Sequence, residues 1–249
     1  GKQSQYQKLH GADTREVVRW LQSHGISVLG STIIGLEEHT PDNMPEAIEH
    51  AVSHDTEFHQ FMLYTPVPGT PLFEEHKEKG TLLDPEWENG TDMHGQLSFA
   101  HRHPHLPPGT ETNWLLEAFR RDFEANGPSI LRMARTAMQG WLRYGNDPDP
   151  RIRARFRREA GRLPVEYAAA VWAARRYFRG SPEVRRRAEE LLRQLREEFG
   201  LRCRLASSIG GRWLHRMVRR VKRRLARGVT YEPPTFYELS EDFPSAAAR

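Results

Sequence analysis

The sequence predicts an α/β unit followed by a mainly α-helical extension. Two short apolar runs, each preceded by helical periodicity, predict the first part. Helical segments separated by Gly and Pro predict the second. The charge pattern marks the same division. Residues 1–150 hold 12 Lys and Arg against 22 Asp and Glu, a net −10. Residues 151–228 hold 24 against 7, a net +17, and residues 229–249 hold one Arg against four acids, a net −3. The formal charge of +4 for the 249-residue chain therefore averages two electrostatically opposite halves.

Residues 13–24 read as an amphipathic helix with Val17, Trp20 and Leu21 on one stripe and Asp13 or Thr14 as the cap. Gly25 ends it. The run from Ile26 to Gly35 is short and rich in β-branched residues, the signature of a strand buried on both faces. A second helix opens at Thr40–Asn43 and carries Met44, Ile48, Ala51 and Val52 as its apolar stripe. Residues 56–64 read as a second strand. This helix–strand–helix–strand order is the βαβ rhythm of a parallel sheet or barrel. Two parallel strands cannot be stable by themselves, since their faces and edges need cover, so the pattern calls for additional structure. The Pro-rich run 66–71 reads as rigid irregular chain. Helices are expected at 112–126, 129–143, 150–162, 165–178, 182–199 and 201–227.

The 37% apolar and 28% charged content suits a helix-rich protein in water, and no run of roughly 18 apolar residues is available to span a bilayer. The first residues show no initiator Met, signal core or transit pattern, which reads as a start partway along a longer chain or as a processed or trimmed start. A cytoplasmic location is expected, with peripheral membrane contact as an option. Cys203 is the only cysteine, so this chain can form neither an internal disulfide nor a Cys-based zinc or iron–sulfur site.

The stretch Gly25–Glu38 resembles the fifth strand of the radical S-adenosylmethionine barrel, whose pattern is often written GxIxGxxE. Ile33, Gly35 and Glu38 fit it, and Ser31 replaces the first Gly. Residues 64–73, Tyr-Thr-Pro-Val-Pro-Gly-Thr-Pro-Leu-Phe, resemble the TPxPGTPLY ending of the sixth strand. The resemblance implies that residues 1–83 are the last βα units of a partial TIM-like barrel. It also implies that Ile33, Gly35, Leu36, Glu38, Tyr64 and Pro66 line an adenosine pocket without performing chemistry. Sites in such barrels lie at the C-terminal strand ends. Glu38 also reads as a first-turn helix acid, and Tyr64 and Pro66 as ordinary packing. The family's chemistry comes from a CxxxCxxC loop holding a 4Fe-4S cluster that reduces S-adenosylmethionine. That loop is missing here, so the chain by itself is expected to be inactive and to require the N-terminal part of the barrel as its partner.

Residues 112–228 form an Arg-rich helical region. The stretch from about Thr112 to Tyr237, with Glu117–Phe123, Gly127–Arg132 and Tyr231–Tyr237, resembles in general texture the C-terminal extension of radical enzymes that also carry a cobalamin-binding domain. The likeness implies cobalamin as a further cofactor, that domain as a further partner, and methylation or rearrangement of an unactivated carbon, on a lipid in some cases. Residues 84–111 are expected to be a loop or lid and residues 229–249 an extended tail. His101, His103 and His105 alternate and admit a metal site, but a His-rich lid is simpler. His50 and His54, spaced i, i+4, read as a solvated face. Arg212–Arg227 forms a basic amphipathic helix with Trp213, Leu214, Met217, Val218, Val221 and Leu225 apolar. It suits a buried stripe, an anionic membrane surface, the acidic N-terminal half or, least of all, nucleic acid. The alternative to the fragment of a radical enzyme is therefore a non-catalytic basic helical module.

Overall fold

The computed structural model describes residues 13–83 and 98–228. The expected tail and the first half of the expected lid, residues 84–97, lie outside the described residues. Helix α1 (Thr14–Ser23) is capped by the Asp13 carboxylate, which accepts from the Arg15 amide at 2.9 Å. It buries Val18 and Gln22 and leaves Val17 and Trp20 exposed. The expected stripe is thus displaced, because α1 rests on a neighbouring helix through its other side. Gly25, at φ 74°, turns the chain against that neighbour. A Cβ on Gly25 would stand 2.5 Å from the Gly140 Cα, so the two backbones meet where neither carries a side chain.

Strands β1 (Leu29–Ile34) and β2 (Phe58–Leu63) pair in parallel, with Leu29 opposite Phe58 and Ile34 opposite Leu63. Helix α2 (Met44–Val52) connects them and buries Met44, Ile48, Ala51 and Val52, the stripe the sequence predicted. The strands are not buried on both faces. Ile34, Phe61 and Leu63 point into a core with α2, whereas Leu29, Ile33 and Phe58 on the other face are 62%, 50% and 45% exposed. Among the described residues the sheet has only these two strands, and no barrel closes within them. Helix α3 (Pro71–Glu78), which the Pro-rich run concealed, starts at Thr70, whose Oγ1 accepts from the Phe73 amide at 3.3 Å, with Pro71 in the first turn.

The helical part comprises α4 (Glu111–Asn126), α5 (Ser129–Tyr144), α6 (Pro150–Ala160), a π-helical turn (Leu163–Tyr167), α7 (Ala168–Tyr177) and α8 (Pro182–Leu225). These bounds follow the Gly and Pro breaks, and Gly200, at φ 58° and ψ −137°, kinks α8 where a break was expected. Two cores result. Leu115 and Ala118 of α4 join α2, β1 and β2 in the first. Leu131, Leu163, Val171, Leu192 and Leu195 anchor the second, to which Cys203 also belongs.

A polar latch joins the N-terminal ends of the strands to the helices. The buried Glu57 carboxylate accepts from the Val28 amide at 2.7 Å and from the Thr136 hydroxyl. Arg132 pairs with Asp122 at 2.8 and 3.0 Å and donates to the Thr56 carbonyl at 2.7 Å, with both charged side chains under one-tenth exposed. Buried charges persist only when paired in this way.

Candidate functional site

In parallel α/β structures the loops after the strands are open to ligands, because the connecting helices leave that end uncovered. The parallel pairing brings the candidates Ile33, Gly35, Leu36, Glu38, Tyr64 and Pro66 to one end of the β1–β2 pair. They are not equivalent there. Ile33 projects on the uncovered face of the sheet. Pro66 is buried, Tyr64 and Leu36 are half-buried, and Glu38 is exposed. Glu38 precedes α2 by several residues and is not a first-turn acid; Glu46 holds that position.

Gly35 has φ 72°, the left-handed region that favours glycine, and its Cα is covered by a ring of this same chain. A Cβ at Gly35 would lie 2.5 Å from Phe99 Cζ. Backbone amides at this turn are also engaged internally. Gly35 and Leu36 both donate to His39 Nδ1, at 3.0 and 3.2 Å, and the Leu36 carbonyl is 2.9 Å from His103 Nε2.

A cluster of imidazoles therefore surrounds the strand ends, in which His39 and His76 join His101 and His103 of the alternating run. His76 and His101, 2% and 1% exposed, lie with ring centroids 4.4 Å apart, and Tyr64 meets His101 edge-on at 6.0 Å. Short antiparallel pairing of residues 100–102 with 81–83 holds His101 in place. His76 Nδ1 bonds Thr81 Oγ1 at 2.8 Å, and its Nε2 stands 3.7 Å from Glu37. Neither ring nitrogen of His101 has a hydrogen-bond partner among the described residues. Burial lowers the His101 pKa to about 4, with the neighbouring His76 and His103 adding to the effect. Burial also lowers His76, against the pull of Glu37, and lowers His39 against Glu38. All three are thus held toward the neutral form.

Of the alternating histidines, His101 is interior, His103 bonds backbone and His105 is exposed. They do not share a face. Among the described residues no group of three or more His, Cys, Asp or Glu side chains is arranged to hold a metal ion. His54 ties α2 to α1 through Thr14 Oγ1 at 2.8 Å, while His50 is exposed. Nothing in the sequence singled out His39, His76 or Phe99. The only available hint was the spacing of His39 four residues beyond Gly35.

This chain is similar to methyltransferases. Over 86 residues it is 30% identical to an uncharacterized methyltransferase of Pyrococcus horikoshii, a match covering 34% of this chain and 19% of that protein. Over 78 residues it is 32% identical to the bacteriochlorophyllide d C-12(1)-methyltransferase of Chlorobaculum tepidum, covering 31% of this chain and 17% of that one. The chain spans less than a fifth of the length of either relative. No protein-family model and no solved structure matches it.

Proposed function

We propose that this chain is the barrel-closing, C-terminal part of a radical S-adenosylmethionine enzyme that transfers a methyl group to carbon. The observation that carries the reading is the parallel βαβ unit with helices on one face and exposed Leu29, Ile33 and Phe58 on the other. A wedge cut from a barrel has this form, because alternate strand residues face the barrel interior and the others face the helices. The likeness to two methyltransferases supports the reaction class.

The residues present fit part of a nucleoside wall. Ile33 offers apolar surface on the open face, Tyr64 and Pro66 stiffen the second strand end, and the exposed Glu38 carboxylate is free to accept from a ligand hydroxyl or ammonium group. Phe99 already fills the ground over Gly35, so on this reading the adenosine is received from the open sheet face. The cluster does not fit this chain. Cys203 is buried in α8, within the helical core and not at the strand ends, and burial pushes its thiol pKa up, away from the thiolate a metal requires. The cluster's ligands, and any cobalamin domain, belong to additional polypeptide.

Anaerobic reconstitution with iron and sulfide tests this directly. The chain alone should take up no cluster by visible and Mössbauer spectroscopy. Stoichiometric four-iron incorporation would overturn the reading.

A further inference from the structure

We infer that the second half of α8, residues 201–225, is an interfacial helix that docks on an anionic lipid surface. Leu201, Leu205, Ile209, Trp213, Met217, Val221 and Leu225 recur every four residues, and each is between 42% and 70% exposed. This spacing advances about 40° per step, so the row winds around the helix, and Trp213, Met217, Val221 and Leu225 are the members that share the lipid-facing side. A ridge of this spacing ordinarily packs into another helix; here, among the described residues, it faces solvent. The buried side of the same segment is small, with Cys203, Ser207 and Gly211 against α7. The exposed ridge is therefore not the face that holds the helix in place.

Charge identifies the occupant. Residues 200–228 contain nine Arg and one Lys and no Asp or Glu, a net +10. At about 100° per residue, Trp213, Leu214, Met217, Val218, Val221 and Leu225 fall within an arc of roughly 140°. Arg212, Arg216, Arg219, Arg220, Arg223 and Arg227 occupy a second arc of about 100° beside it, and Arg224 sits at the near edge of the apolar arc. Among the described residues none of these arginines forms an ion pair, in contrast to residues 182–199, where Glu183 and Glu190 each engage arginines. On the Arg side lies an open groove of about 540 Å³ against α7, lined by Trp172, Arg175, Arg176, Arg212, Arg216 and Arg219 among others. It presents guanidinium groups to phosphate oxygens.

Apolar and cationic faces side by side on one helix suit a bilayer interface, where the ridge enters the acyl boundary and the arginines meet headgroup phosphates. A nucleic acid or an acidic protein would use the arginines and leave the ridge in water. A second copy would bring another +10 against the first. No helix among the described residues is long and apolar enough to cross a membrane, so the contact would be peripheral.

Vesicle co-sedimentation of the full chain tests the inference independently of the proposed enzymatic role. Vesicles of phosphatidylcholine containing about one-third phosphatidylglycerol should bind the protein at about 0.1 M salt and release it at about 0.5 M, and pure phosphatidylcholine should not bind it. Met217→Ser with Val221→Ser, which leaves the charge unchanged, should weaken binding by about a hundredfold or more, since both side chains lose their burial in the acyl boundary. Arg220→Gln or Arg224→Gln should weaken it about fivefold each. Circular dichroism of each variant should match the parent, because these positions are exposed. Two results would overturn the inference: no binding to anionic vesicles at low salt, or full binding by the Met217/Val221 variant. The second would show recognition by charge alone, the pattern of a nucleic acid or acidic protein.

Discussion

The α/β unit and the helical half are built from similarly apolar stretches, yet they close differently. In the helical half, Leu163, Val171, Ala188 and Leu195 are fully enclosed by helices α5, α7 and α8. In the α/β unit the same density of apolar residues closes only one face of the sheet. Leu29, Ile33 and Phe58, together with Val17 and Trp20 of α1, remain in water. Isolated exposed apolar residues are ordinary, but an apolar face on a two-stranded parallel sheet is not. The helical half thus encloses a core between helices and leaves apolar side chains exposed only on outer helix faces such as Trp213–Leu225, whereas the α/β unit leaves one face of its sheet open.

Substitutions should separate the two regions sharply. The largest effect is expected where they are latched together. Arg132→Met leaves Asp122 buried without its partner and should cost about 3–5 kcal/mol in chemical denaturation. Leu195→Ala, in the enclosed core, should cost about 2–5 kcal/mol.

An effect of comparable size is expected from acid. His59 and His101 both have pKa values lowered to about 4, mainly by burial, against an ordinary 6.5. Between these limits the unfolded chain binds protons that the folded chain refuses. Stability is therefore complete above about pH 6.5 and declines as pH falls toward 4. His101→Phe should flatten this dependence in thermal melts and cost little at pH 7, because it replaces two nitrogens that lack partners among the described residues with hydrocarbon. An unchanged pH profile would show that His101 is not one of the groups responsible.

The smallest effect belongs to the open face. Leu29→Ser and Phe58→Ser should shift the stability of this chain by no more than about 0.5 kcal/mol. A loss comparable to that of Leu195→Ala would mean that the face is already covered.

The order and approximate ends of most elements were legible, because Gly25, Pro150 and Gly200 punctuate the chain where helices stop, start or bend. The α2 stripe was legible for the same reason: four apolar positions at helical spacing have one solution. Helix α3 was hidden, since Pro66, Pro68 and Pro71 read together as irregular chain even though Pro71 in fact opens a helix. The exposure of Leu29 and Ile33 could not be read, because a strand awaiting a partner has the same composition as one that has it. The six site candidates were legible as neighbours through resemblance. Phe99, His76 and His101 were not, because nothing local signals that a segment beyond α3 returns to the strand ends.

Hydrogen exchange at the β1 amides reads out whether this strand edge is a joint. Amides on the edge of Leu29–Ile34 that no strand among the described residues pairs should exchange rapidly in this chain. They should become strongly protected when upstream barrel strands with their CxxxCxxC loop are supplied as a separate polypeptide. Equal exchange with and without that polypeptide would contradict the claim that this sheet is one wall of a larger barrel.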